Sequence, residues 1–92
     1  MKMTNTDYMI GCVKEFIEGQ TERYEFDLDF LDNLKKRYTE MVRESPELAD
    51  CFSCYLVEQG YYEGRDLPDD QYRGLIQERF EQFISVFDDG II

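Results

Sequence analysis

Apolar residues recur three and four positions apart in four separate segments of this 92-residue chain. Such spacing places them on one face of an α-helix, and a helix with one apolar face has to bury it against other helices. We therefore predict an all-α fold: a compact, single-domain bundle of four helices over residues 1–92, in up-down-up-down order. The predicted helices span about residues 7–18, 28–44, 46–59 and 68–88.

Residues at the segment ends predict where the helices begin and stop. Thr6 is the expected N-cap of the first helix, and Gly19 follows its last turn. Asp27 is the expected N-cap of the second helix, and Gly60 the expected stop of the third. These residue types supply a side-chain acceptor for free N–H groups or, in glycine, a backbone that can leave the helix.

The Ser45-Pro46 pair is the clearest boundary in the chain. Serine can cap a helix, and proline fits the first helical position, where its missing N–H costs nothing. Proline also disfavours helical geometry at the residue before it. The second helix should therefore end near Glu44, and the third should begin almost at once.

The connection before the second helix has a pattern that also fits a strand. Tyr24, Phe26 and Leu28 alternate, but no second segment offers a strand to pair with them. An isolated strand would leave its backbone groups unmatched. We therefore predict that residues 18–25 form an extended linker that enters the second helix.

Composition narrows the possible partners. Hydrophobic residues make up 42% of the chain and aromatic residues 15%, which predicts a folded domain and not a disordered acidic tail. The 21 acidic and 10 basic residues give a formal net charge of −11. That charge repels nucleic acid and anionic membranes and attracts basic surfaces. No apolar run approaches the ~20 residues of a membrane span.

The three cysteines, in a chain without an export signal, predict a cytoplasmic protein with free thiols. Cys51 and Cys54 have the spacing of half a metal site, but with Cys12 they make only three ligands where zinc takes four. The chain has no histidine, which removes the usual catalytic base and metal ligand. We therefore expect no enzyme activity, no cofactor and no metal. A thiol sensor that joins Cys12 to Cys51 or Cys54 is a weaker alternative.

Acidic residues and tyrosines concentrate in the two longer connections, which an up-down-up-down order brings to the same end. We name this set the acidic pole. It comprises Glu22, Tyr24, Glu25, Tyr61, Tyr62, Glu63 and Asp66. Acids nearby, such as Asp27 and Asp69, can instead serve the helix N-termini, where carboxylates are stabilising. An acidic surface can also serve solubility alone.

From these features we expect a non-catalytic interaction protein whose acidic pole binds a basic protein partner, as an inhibitor, an immunity protein or a nucleic-acid mimic does. The alternative is a structural or regulatory homodimer. Its interface would be the apolar face of the fourth helix or the strip Cys54, Val57 and Tyr61, which α-helical spacing places on one side of the third helix.

Tyr61-Tyr62, followed by an acidic segment, resembles the tyrosine pair of the colicin DNase immunity family. In size, acidity and helical content the chain is also similar to bacterial immunity proteins, which neutralise nuclease toxins. The resemblance covers only these few residues, and we carry over no function from it.

Overall fold

The computed structural model describes the backbone of residues 4–91 and the side chains of residues 4–86. Its elements are α1 (Asn5–Ile17), α2 (Arg23–Glu44), α3 (Pro46–Phe52), a π-helix (Ser53–Tyr62) that directly follows α3, and α4 (Asp69–Ile91). The backbone described contains no strand. The predicted all-α class with four helical segments is therefore confirmed, with the π-helix completing the third segment.

The chain divides into two compact units, Met1–Ala49 and Asp50–Ile92. In the first unit α1 packs against α2, and in the second the π-helix packs against α4. The single-domain organisation and the up-down-up-down order of the bundle stay predictions.

The core of the first unit is built from apolar side chains on the facing sides of α1 and α2. Phe16 of α1 stacks on Phe26 of α2 with 4.3 Å between ring centroids, and Phe26 stacks on Phe30 at 4.7 Å. The other buried apolar residues of the two helices are Met9, Val13, Leu34 and Met41. Offset aromatic stacking adds about 0.5–1.5 kcal/mol per pair to the burial of the rings.

The predicted extended linker is wrong, because α2 begins at Arg23 and takes in the whole alternating segment. The alternation of Tyr24, Phe26 and Leu28 arises because these residues lie on two different faces of α2. Phe26 lies one turn before Phe30 on the buried face, whereas Tyr24 (72% exposed) and Leu28 (59% exposed) lie one turn apart on another. The predicted Asp27 cap is also wrong. Glu22 is the N-cap residue, and its side chain makes no capping hydrogen bond.

The start of α1 also differs from the prediction, because the cap is Thr4 and not Thr6. The Asp7 N–H donates to Thr4 Oγ1 at 3.0 Å, and the Thr4 N–H donates to the Asp7 carboxylate at 3.4 Å. This reciprocal pair is a capping box. At the other end Gly19 has a φ of 82°, a left-handed conformation that closes the helix as predicted. The Gly19 and Gln20 N–H groups donate to the carbonyls of Phe16 and Glu15, the Schellman pattern.

Thr6 has a different role, because it binds a carboxylate from the far end of α2. Glu44 accepts the Thr6 hydroxyl at 2.8 Å and the Thr6 N–H at 3.0 Å. It also accepts the Asn5 N–H at 2.9 Å and the Asn5 side-chain amide at 3.1 Å. Slight burial raises the pKa of Glu44, but these four hydrogen bonds outweigh it and lower the pKa to about 2. The last residue of α2 thereby holds the first turn of α1.

We expect Glu44→Gln to lower the free energy of unfolding by roughly 0.5–1 kcal/mol at neutral pH, the lower part of the range for a lost helix cap, because the carboxylate is exposed to solvent. Because the folded pKa of about 2 lies below the ordinary value of 4.5, the carboxylate's contribution is present above pH 4.5 and is lost as the pH falls toward 2. Urea unfolding of the wild type and of Glu44→Gln between pH 7 and pH 2 measures this contribution. Glu40→Gln is the control, since Glu40 makes only an exposed pair with Arg43. A gap between wild type and Glu44→Gln that is the same at pH 7 and pH 2 would contradict the prediction.

The boundary at Ser45-Pro46 is confirmed. Pro46 is the first residue of α3, and the Leu48 N–H donates to Ser45 Oγ at 3.2 Å. Ser45 itself has extended backbone angles, with φ −164° and ψ 105°. Extended backbone angles are typical of an N-cap residue, and they are also the angles that a following proline favours.

The predicted stop at Gly60 is wrong, because the π-helix runs on to Tyr62. Gly60 is buried, and a Cβ built on it would lie 3.0 Å from Ile76 Cδ1 of α4. The residue is therefore glycine because the two helices approach closely at that point, and not because a helix ends there. Phe83 of α4 lies edge-on to Phe52 at 5.6 Å in the same unit.

Candidate functional site

The first unit contains a cleft of about 190 Å³ between α1 and α2. Three exposed carboxylates, Glu15, Glu25 and Asp29, lie at its rim, and the buried rings of Phe26 and Phe30 form its floor. The remaining lining residues are Tyr8, Cys12, Thr21 and Asn33. The cleft is smaller than the about 300–1,000 Å³ of a typical small-molecule site, so it suits a single side chain better than a cofactor.

Helical spacing explains why these residues meet. Glu25, Asp29 and Asn33 lie one turn apart along α2, so one side of that helix faces the cleft. Phe26 and Phe30 lie on the adjoining side and turn into the core. From α1, residues 8, 12 and 15 share one face in the same way. The result is an acidic rim above an aromatic floor.

The electrostatics of the cleft can be followed at Cys12. Burial raises the pKa of its thiol, and the Glu15 carboxylate raises it further. The Arg37 guanidinium and a hydrogen bond with Tyr8 act in the opposite direction but do not outweigh them. Because the thiolate is the reactive form of cysteine, a raised pKa makes Cys12 a poor peroxide target. The thiol-sensor alternative stays a prediction.

The cleft has no basic residue among its nine lining residues. The nearby base, Arg37, lies with its guanidinium carbon 3.7 Å from the centroid of the Tyr8 ring. It also donates to the Asn5 side-chain oxygen at 2.8 Å. A cation over an aromatic face is attracted by the ring quadrupole. Arg37 therefore already covers one face of the Tyr8 ring, which lines the cleft.

The acidic-pole residues of the first unit lie at the start of α2. Glu22 is its N-cap, Tyr24 is strongly exposed, and Glu25 belongs to the cleft rim. Of these three residues, Glu25 lines the cleft. Glu15 and Asp29, which the sequence reading did not select, join it there.

The acidic-pole residues of the second unit lie in the last turn of the π-helix and directly after it. Tyr61 and Tyr62 lie edge to face with 5.3 Å between ring centroids, and Tyr62 is exposed. Glu63 is the C-cap residue, and its N–H donates to the Gly60 carbonyl. Both Glu63 and Asp66 are exposed. The convergence of the two halves of the acidic pole stays a prediction.

The strip Cys54, Val57 and Tyr61 does not form the exposed face that α-helical spacing predicts. Val57 is only 7% exposed, whereas Cys54 and Tyr61 are half-buried. The π-helix turns less per residue than an α-helix, with i→i+5 bonding, so positions three and seven apart no longer share a face. Residues five apart meet instead: the Gln59 side-chain amide donates to Cys54 Sγ at 3.2 Å.

The described residues contain no group of three or more histidine, cysteine, aspartate or glutamate side chains arranged to hold a metal ion. Among these same residues, no helix has the length and apolar character needed to cross a membrane.

No protein-family model, no curated protein and no solved structure matches the chain. A functional proposal therefore depends on the chemistry of the surface itself.

Proposed function

We propose that this protein is a non-catalytic interaction protein that binds a basic protein partner through its acidic surface. The observation that carries the proposal is the cleft of the first unit, where Glu15, Glu25 and Asp29 surround an aromatic floor. The net charge of −11 would speed the approach of a basic partner and weaken its binding as salt rises.

The occupant that fits this cleft is a lysine or arginine side chain of the partner. Its charged end would pair with the three rim carboxylates, and its aliphatic stem would cover Phe26 and Phe30. Exposed ion pairs contribute about 0.2–1 kcal/mol each. The cleft alone therefore gives modest affinity, and the surrounding acidic surface would supply orientation and rate.

The test compares two variants of equal charge. Glu15→Gln, Glu25→Gln and Asp29→Asn together neutralise the rim, whereas Glu58→Gln, Glu78→Gln and Glu81→Gln remove three exposed acids from the second unit. The probe is an arginine-rich peptide, with a glutamine-substituted peptide of the same length for comparison, titrated by NMR. We expect the rim variant to lose about tenfold in affinity, the effect of about 1.4 kcal/mol. The control variant should lose much less.

Amide signals of the cleft residues should shift on addition of the arginine-rich peptide and stay in place with the glutamine peptide. Equal losses in the two triple variants would mean that net charge alone attracts the peptide, and the proposal would then be wrong. A pull-down from lysate at low and high ionic strength would afterwards identify the natural partner.

A further inference from the structure

A second face of α2 is apolar and lies open to solvent. Along this helix, positions 24, 28, 31, 35, 38 and 42 alternate in steps of four and three, the spacing of a coiled-coil seam. We name these positions the α2 seam. Its residues are Tyr24, Leu28, Leu31, Lys35, Tyr38 and Val42.

Exposure distinguishes this seam from the core side of α2. Tyr24, Leu28 and Val42 are all exposed large apolar residues, Val42 at 36%. Leu31 and Tyr38 are half-buried. By contrast, Phe26, Phe30, Leu34 and Met41 on the other face are buried. A 22-residue helix that packs one stripe and leaves a second at the surface has a face available for another chain.

The charges of α2 indicate which chain that is. Glu25 and Asp29 lie at the cleft, and Arg37 and Glu44 contact α1. The remaining charges are two acids and one base in the first half of α2, residues 23–32, and three bases and one acid in its second half, residues 33–44. Two copies of this helix laid side by side in parallel would set acid against acid and base against base. Laid antiparallel, they would set the acidic half of each against the basic half of the other. A second copy of this chain is thus complementary to α2 in one orientation.

We propose that α2 forms an antiparallel contact with α2 of a second copy through the α2 seam, which makes the protein a homodimer. With the two-fold axis near residue 33, Tyr24 of one copy lies opposite Val42 of the other, and Leu28 opposite Tyr38. Lys35 lies opposite Leu31 and next to Asp32 of the other copy. A single lysine within a seam fixes register and orientation at some cost in stability.

The test measures the mass in solution by light scattering over a concentration series, with twice the 11.1 kDa chain mass expected for the wild type as concentration rises. Leu28→Arg should raise the dissociation constant at least tenfold, because it sets a guanidinium against the basic half of the other copy. The matched control is Val86→Arg, an exposed valine on α4 that should leave the dimer intact. Circular dichroism of both variants checks that the helices persist.

Orientation is tested by Lys35→Glu with Lys36→Glu, which makes α2 acidic along its whole length. Antiparallel pairing predicts at least a tenfold weaker dimer for this variant, and recovery of the dimer when it is mixed with a variant carrying Asp27→Lys and Asp32→Lys. A wild type that stays monomeric at every concentration overturns the proposal, as does a dimer that Leu28→Arg leaves intact. A double variant as tightly dimeric as the wild type overturns the antiparallel orientation.

Discussion

Phe26→Ala is expected to lower the free energy of unfolding by about 3–5 kcal/mol, the cost of deleting a large aromatic side chain from a core. Phe26 is buried between Phe16 of α1 and Phe30 of α2, with centroid distances of 4.3 and 4.7 Å. Its removal would break both stacked pairs and leave a cavity under the acidic cleft. For a domain of this size that is a large part of a total stability of about 5–15 kcal/mol.

Tyr24→Ala is the control for this prediction, because an α-helix places Tyr24 and Phe26 on different faces. In a strand, residues 24 and 26 would share one face and their loss would have similar effects. In α2, Tyr24 is exposed, and its replacement should change stability by no more than about 0.5 kcal/mol. Chemical denaturation in dilute solution, where a single chain predominates, measures both variants. Similar losses in the two would contradict the helical start of α2.

Gly64→Ala is expected to lower the free energy of unfolding by about 3 kcal/mol, at the upper end of the about 1–3 kcal/mol of core overpacking. A Cβ at Gly64 would lie 2.8 Å from Tyr72 Cδ1 and 2.9 Å from Leu75 Cδ2 of α4. Tyr72 is fully buried, so its ring has no free space to move into. The added methyl group would therefore push the chain just after the π-helix away from α4.

Gly74→Ala on α4 provides the matched control. A Cβ at Gly74 would meet no atom within 4 Å, and alanine within a helix is about 0.5–1 kcal/mol more favourable than glycine. We therefore expect the two alanine variants to shift the urea midpoint in opposite directions. If Gly64→Ala unfolded at the wild-type midpoint or above it, the close approach of Gly64 to α4 would be refuted.

The helices themselves could be predicted from the sequence because apolar periodicity is a local property. The Ser45-Pro46 boundary and the left-handed Gly19 were predicted for the same reason: each depends on one or two residues and their own backbone preferences. Gly60 misled the prediction, because a glycine that ends a helix and a glycine that admits a neighbouring helix look the same in sequence. Only the contact with Ile76 distinguishes them.

The acidic cleft could be predicted only in part. The sequence predicts Glu25 as a site residue, but it places Asp29 in the first turn of the predicted second helix, where a carboxylate serves the helix N-terminus. Glu15 lies in the predicted first helix, and no local pattern connects it with Glu25. Once α2 begins at Arg23, the four-residue spacing of residues 25, 29 and 33 places them on one side. The signal was present in the sequence. Using it required the correct start of α2, which the packing of Phe26 on Phe16 determines.

By itself, the sequence determined the all-helical class, the excess of negative charge, the helix boundary at Ser45-Pro46 and the end of α1 at Gly19. These follow from composition, periodicity and caps, which act over a few neighbouring residues. Tertiary structure alone decided which face of α2 is buried, which carboxylates meet around the cleft, and that the Glu44 carboxylate binds the first turn of α1. Those outcomes depend on contacts between residues distant in the chain, and no local preference encodes them.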